Sequence, residues 1–577
     1  MRPAELDVNS AKNIDTIKAW IKTCQENHQR CQEYMETKLP IRLIEVGDSE
    51  TLPKLRRSSP GEIGQYLALS YCWGGAQTGQ ATKANLREYE KAIPMVSLPQ
   101  TIRDAFQITK QLRIKYLWVD SLCIVQDDDD DKVQNLPQMR SIYQNALLTI
   151  SAASAESSNS GFLYKRDLPV RRFALNQPVV KAYTTFTLRA RTEDGREGSL
   201  ILSQPPRYAE LFEPIERRAW TFQETLLSNR LLIYSSSQLL WRCRCAFEVT
   251  GGHLIWDEYE GHAPNLPFES SAVEMQGPKI AITVYVKEVP DFELYEYWKL
   301  PKGYPKFRGS ITEKEIQWLR IVQQYTSRGL SRLSDKLPAL SAIAEEFQRS
   351  TCDEDGEDEY AAGLWRSHFL VGLAWRRRFT VPFKRVLPWR APSWSWASGD
   401  GEVGYCTFEN YWNGMRRVPR ILSVFIKLLN SNIPFGEVRS GYLEMTTRLR
   451  RVRLEPIPEE TEEKAAKIHN VKMMAENSSD LCGYALIDDA VELAPWSEPD
   501  EKEEVFAIVL FKSREWKQKP VKRRAYGLVV VRWLEDPYVQ TAGSFRRIGV
   551  FDSLPCETPV FNSEWLGDGR FQMIRLE

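Results

Sequence analysis

Three short apolar runs separated by helix-like stretches constrain this chain more than any other feature. Tyr66-Leu67-Ala68-Leu69-Ser70-Tyr71 is bounded by Gly64 and by Trp73-Gly74-Gly75, and reads as a buried strand running into a loop. Tyr116-Leu117-Trp118-Val119-Asp120 is too short for a helix and has too few polar alternates for a half-exposed strand, so it reads as a central parallel strand covered on both faces. Leu147-Leu148-Thr149-Ile150 is the third run. Between the first two, Ile102, Ala105, Phe106, Thr109 and Leu112 form one helical face. Ser97, three residues before Gln100, offers a capping box, and Pro99 suits a first turn. A second helix is predicted around Gln138 to Asn145. The pattern is two β-α-β units with right-handed crossovers, which makes a doubly wound, mostly parallel α/β sheet.

The chain has 577 residues, more than one core accommodates. Its pattern divides into a helical lead-in (1–58), the sheet domain (59–250), an irregular and helical accessory region (251–400) and a β-rich C-terminal domain (401–577). Helices are predicted at Glu313 to Tyr325 and Leu337 to Phe347. Strands are predicted at Val505 to Phe511 and Tyr526 to Val531. Lys plus Arg equals Asp plus Glu at 77 each, so no global field draws in nucleic acid, and the basic runs at Arg376–Arg378, Arg448–Arg453 and Lys522–Arg524 read as solvated faces. There is no secretory-type N-terminus and no apolar run of about 18 residues, so a cytoplasmic protein with reduced thiols and no membrane span is expected.

Several familiar sites are set aside. Gly74 to Gln80 lacks the Lys-Ser/Thr of a phosphate loop. The acids Asp127 to Asp131 lack the alternating spacing of a calcium loop and read as a solvated loop. In the lead-in, Cys24, His28 and Cys31 follow Ile14, Ile17, Trp20 and Ile21 on one helical face. A structural zinc site needs a fourth ligand, usually from a second close pair, and none follows, so these residues are expected to be buried without metal. Cys243-Arg244-Cys245 with His253 reads as a buried strand end. Trp365, Trp375, Trp389, Trp394 and Trp396 read as a packing layer between the helical and β-rich parts.

Three strings carry a resemblance: Tyr66 through Gly74, Leu98-Pro99-Gln100-Thr101-Ile102-Arg103-Asp104-Ala105, and Tyr116 through Asp127. Met139 to Ala146 and Arg218-Ala219-Trp220-Thr221-Phe222-Gln223-Glu224, then Leu227, Ser228 and Arg230, continue it. Together they resemble the fungal heterokaryon-incompatibility (HET) domain family over about residues 60 to 245. Looser matches follow at Ser334 to Leu340 and Ala391 to Ala397. One segment departs: the family's Asp-Trp with a Glu three residues on aligns with Lys132 and Asn135 here, and Pro137 interrupts the helix start.

The resemblance implies a cell-death effector of allorecognition, acting with an unidentified protein partner or by self-association. HET domains are similar in fold to Toll/interleukin-receptor-type (TIR) domains, some of which cleave NAD with a glutamate that follows a Trp in a short helix. By that likeness Glu224 is the catalytic candidate, with Trp220 beside it, NAD as substrate and no bound cofactor. A carboxylate there suits glycosidic cleavage through an oxocarbenium-like transition state. A structural role is the other reading, because Thr221 and Glu224 have capping-box spacing and Arg217, Arg218 and Arg230 are at hand for surface pairing. Asp120 closes its strand where open α/β sheets bind ligands, or else caps the next turn or fixes Arg103. Ser70, Tyr71, Trp73 and Gly74 leave the neighbouring strand at the same edge, with Trp73 suited to stacking on a nicotinamide or adenine ring, or to the core. The alternative to an enzyme is a non-catalytic adaptor.

Overall fold

A computed structural model of the chain describes residues 5–34, 37–47, 51–166, 186–191, 197–202, 213–236, 238–249, 313–351, 358–378, 383–405, 415–431, 433–457, 471–476, 481–489, 504–513, 525–532, 543–552 and 571–577. They fall into two compact units, Met1–Gln276 and Gly277–Glu577. His253, Lys522–Arg524 and the Pro/Gly-rich stretch from 251 to 308 lie outside the described residues. Among the described residues no helix is long and apolar enough to cross a membrane.

The first unit opens with helix α1 (Ala11–Asn27), whose Ser10 side chain accepts from the Asn13 N–H. A mixed α/β layer follows, comprising β1 (Arg42–Glu45), β2 (Lys54–Arg57), β3 (Tyr66–Ser70), α2 (Gln100–Gln111), β4 (Tyr116–Trp118), the short α3 (Asp120–Cys123), α4 (Asp129–Asn135), α5 (Met139–Asn145) and β5 (Leu148–Ser151). The unit closes with α6 (Trp220–Leu227), β6 (Arg230–Tyr234), β7 (Leu239–Cys243) and β8 (Phe247–Val249).

These strands form one eight-stranded sheet, ordered β8-β7-β6-β5-β3-β4-β1-β2. Its centre is parallel: β3 pairs with both β4 and β5, and β5 with β6. The flanks are antiparallel. The sheet is therefore mixed rather than mostly parallel: β7 folds back on β6 and β2 on β1 as near neighbours in the chain, and β1 lies antiparallel to the distant β4. β3 and β5 are buried at every position, as their apolar runs require.

β4 is interior, between β3 and β1, but shorter than expected. It stops at Trp118 because Asp120 starts a helical turn and its carboxylate accepts from the Ser121 N–H at 2.6 Å. α2 begins at Gln100 without the Ser97 cap: the Ser97 hydroxyl donates instead to the Pro94 carbonyl at 2.8 Å, and Pro99 stands at the cap position. Pro137 separates α4 from α5 with a 3-10 turn. The acidic run is not wholly solvated. Asp131 is buried against the Arg42 guanidinium and accepts the Val125 N–H at 2.8 Å, whereas Asp128 and Asp129 face Lys83 and Lys132.

The second unit pairs helices Glu313–Thr326 and Pro338–Thr351 with a β-rich sheet of nine strands among the described residues, from Met415–Arg417 to Phe571–Leu576. Trp365, Trp375, Trp394 and Trp396 are fully buried there, and Trp318 and Tyr325 of the first helix meet Trp365 and Trp396 edge-to-face. Trp389 is exposed and leaves the layer. Arg547, 0% exposed, lies 3.5 Å over the Trp375 ring and donates to Asp488 at 3.0 Å and to the Leu373 carbonyl at 2.7 Å. Of the basic runs, Arg378 pairs with Glu402 and Arg451 with Glu476 and Glu504.

Two stability predictions follow. Trp118 is 1% exposed and meets Tyr143 edge-on at 5.6 Å, so Trp118→Ala should lower the stability of the first unit by about 3–5 kcal/mol in denaturant unfolding. Asp488→Ala leaves a buried guanidinium without its carboxylate and should destabilise the second unit by about 3–5 kcal/mol, seen as an earlier unfolding transition.

Candidate functional site

The parallel centre places the carboxyl ends of β3 and β4 side by side, and the remaining residues of the site come to that edge. β3 delivers Ser70, fully buried, and then Tyr71 and Trp73. Gly74 and Gly75 turn the chain away at positive φ, and at Gly74 a Cβ would stand 2.2 Å from that of Ser157. Gly74 is thus fixed by close packing and backbone sign. β4 delivers Asp120 and Ser121.

α6 crosses this edge. Its Thr221 hydroxyl donates to the carbonyls of Ile215 and Arg218, at 2.6 and 2.9 Å, and Ala219 stands at the cap, so the capping box with Glu224 does not form. A capping box does form one turn earlier, between Glu213 and Glu216. Beyond the helix, the Ser228 hydroxyl reaches the Glu224 carbonyl at 2.6 Å and Thr149 of β5 at 2.7 Å, tying the last turn to the sheet.

Glu224 therefore points at the strands. Its carboxylate accepts from the Ser70 hydroxyl at 2.5 Å and is 5% exposed. Asp120, half-buried, accepts from the Trp73 indole N–H at 2.9 Å. The Tyr71 hydroxyl lies 2.9 Å from that of Ser121. Arg218 donates to the Tyr71 carbonyl at 3.1 Å, with its guanidinium carbon 5.9 Å from the centre of the Trp73 ring. Tyr143, on α5, donates to the Leu69 carbonyl at 3.2 Å and lies against Glu224. Ser70, Tyr71, Trp73, Asp120 and Glu224 are thus one constellation. Trp220 stands half-buried at the first position of α6, and Gly74 shapes the loop.

Burial pushes the Glu224 carboxyl up to about 7, and the charge of Asp120 adds to the shift. Hydrogen bonds from Ser70 and Tyr143 and the charge of Arg218 pull the other way. Asp120 is also raised by burial, against Arg218 and its own hydrogen bonds. Two carboxyls and one guanidinium share this strand edge, and burial holds the Glu224 proton to a higher pH than an ordinary carboxyl keeps it.

Sequence reasoning placed Arg218 only at the surface and missed Ser121 and Tyr143. Tyr143 lies within the matching string Met139 to Ala146, but only the fold sets its hydroxyl beneath β3. Asp120 does not meet Arg103, whose guanidinium donates to Gln100. The fourth ligand position that chain spacing does not offer is brought in by the fold: Cys243 of β7 reaches Cys24, His28 and Cys31, with all four ligand atoms within 4.8 Å of one another. Chain spacing could not reveal a ligand that arrives by sheet pairing.

Residues 66–224, which contain this constellation, match the model of the family described as Heterokaryon incompatibility protein (HET). They are a HET domain. A curated relative of the HET-bearing chain is heterokaryon incompatibility protein 6, OR allele, of Neurospora crassa, 35% identical over 88 residues. The match covers 14% of this chain and 13% of that protein, so the chain spans only a small part of that relative's length. No solved structure matches.

Because folded Glu224 titrates near 7 and its ordinary value is 4.5, the folded state holds a proton that the unfolded chain releases. Its contribution to stability then falls as pH rises from about 4.5 to about 7 and is constant above. Glu224→Gln removes that titration. Relative to wild type, the variant should gain on the order of 3 kcal/mol between pH 4 and pH 8, read from unfolding curves at the two pH values.

Proposed function

We propose that the HET domain is the killing module of a fungal non-self recognition protein and that it cleaves NAD at the nicotinamide–ribose bond. The observation that supports this most is Glu224, a buried carboxyl with a raised pKa, on a short helix after Trp220, held at the carboxyl ends of parallel strands. In chain order the four parallel strands β3, β4, β5 and β6 stand 2-1-3-4 across the sheet. This is the start of the order 2-1-3-4-5 of one doubly wound class, in which ligands bind where the order reverses. We infer a TIR-like doubly wound core on that basis, with Ser70 and Glu224 at the reversal.

In this reading ionised Glu224 faces the ribose and stabilises positive charge as the bond to nicotinamide breaks. Nicotinamide leaves with the bonding pair, and water adds to the ribose carbon. Trp73 lies at the same opening for stacking on a ring, and Arg218 for a phosphate. The domain works in the cytoplasm, is triggered by a protein partner or by self-association, and needs no bound cofactor.

Purified full-length protein incubated with NAD, with and without a crowding agent, should release nicotinamide. The rate should climb as pH rises through about 7, where Glu224 ionises. Glu224→Gln keeps the hydrogen-bond acceptor for Ser70, so it should fold normally and lose both cleavage and cell killing. If this variant still kills as well as wild type, Glu224 is not catalytic and the domain acts as an adaptor.

A further inference from the structure

Outside the HET-domain constellation, the first unit gathers a second group of reactive side chains. Cys24 lies in the last turns of α1, and His28 follows four residues on, one helical turn along the same face. Cys31 sits in the 3-10 turn that continues the helix, its N–H donating to the His28 carbonyl at 2.9 Å. Cys243 closes β7, more than 200 residues later. Cys24, Cys31 and Cys243 are buried and His28 is half-buried. We propose that these four residues bind one zinc ion as a structural tetrahedral site with three sulfurs and one nitrogen.

Distances agree with that occupant. Zinc–sulfur and zinc–nitrogen bonds of about 2.3 and 2.0 Å at tetrahedral angles put sulfur and nitrogen roughly 3.6 Å apart, and sulfurs roughly 3.8 Å apart. Here Cys243 Sγ is 3.3 Å from His28 Nδ1, and all four ligand atoms lie within 4.8 Å of one another. Small adjustments close the set, widening the Cys243–His28 pair slightly and drawing the more distant ligand atoms in. Soft sulfur donors with one imidazole in a compact tetrahedron select zinc over the hard, oxygen-seeking cations.

The surroundings suit thiolates. After Cys243 the chain turns tightly, Cys243 N–H to the Ala246 carbonyl at 2.8 Å, and directs the N–H groups of Cys245 and Ala246 at Cys243 Sγ from 3.4 and 3.2 Å. Such donors stabilise a metal-bound thiolate. Arg230 of β6 is 0% exposed, its Nε 3.2 Å from Cys24 Sγ and a terminal nitrogen 2.6 Å from the Cys31 carbonyl. Three thiolates and one histidine around a divalent ion leave one net negative charge beside this buried cation. The bound ion staples α1 to β7, a closure of a long loop that constrains the unfolded chain strongly.

The site is tested on the full-length protein, purified under reducing conditions and desalted, by elemental analysis and by replacement with cobalt. Wild type should carry about one zinc per chain, and cobalt should give the intense visible bands of a four-coordinate ion together with thiolate charge-transfer absorption. Cys243→Ser should lose the ion and Cys245→Ser should keep it, although Cys245 Sγ lies only 3.9 Å from that of Cys31. If Cys243→Ser does not fold, the wild-type cobalt spectrum decides alone. Wild type that stays far below one zinc after loading, a weak six-coordinate cobalt spectrum, or zinc lost from Cys245→Ser but retained by Cys243→Ser would overturn the assignment.

Discussion

β3 is buried on both faces, and its end is where the first unit gathers its chemistry. A strand covered on every side cannot leave a polar side chain to water, so the hydroxyl of Ser70 needs an internal acceptor. Glu224 supplies it, and that contact brings α6 across the strand ends, with Arg218 and Trp220 in the same segment. The loop after β3 is fixed in turn by Gly74 against Ser157, which sets Trp73 over Asp120. One constraint of burial thus organises residues that lie 154 positions apart in the chain.

That arrangement is not the one stability alone would select. Burial and the charge of Asp120 raise the Glu224 carboxyl, and burial raises Asp120 as well, with the one guanidinium of Arg218 opposing both. Tyr71 and Tyr143, both pushed well above the usual phenol range by burial, stay neutral and serve as hydrogen-bond donors there.

Both units hold buried charge in close ion pairs. In the second unit, Arg547 and Asp488 form a paired ion lined by backbone carbonyls and the Trp375 face, an arrangement that is satisfied and inert. In the first, Arg42 with Asp131 is of the same kind, whereas Arg230 sits beside sulfur.

Local pattern determined the apolar strands at 66 and 116, the helix faces, the helices near 313 and 338 and the β-rich C-terminal region, because burial writes its period directly into the sequence. The strings around Ser70, Asp120 and Glu224 were legible too, being contiguous. What the sequence left open was pairing. Thr221 and Glu224 have capping-box spacing, but tertiary contacts gave Thr221 to Ile215 and Arg218, and Glu224 to Ser70. Flanking hairpins made the sheet mixed, and pairing of β7 carried Cys243 to the end of α1. Such contacts join residues whose separation has no period, so only the folded chain, by minimising exposed apolar surface and unsatisfied polar groups together, decides them.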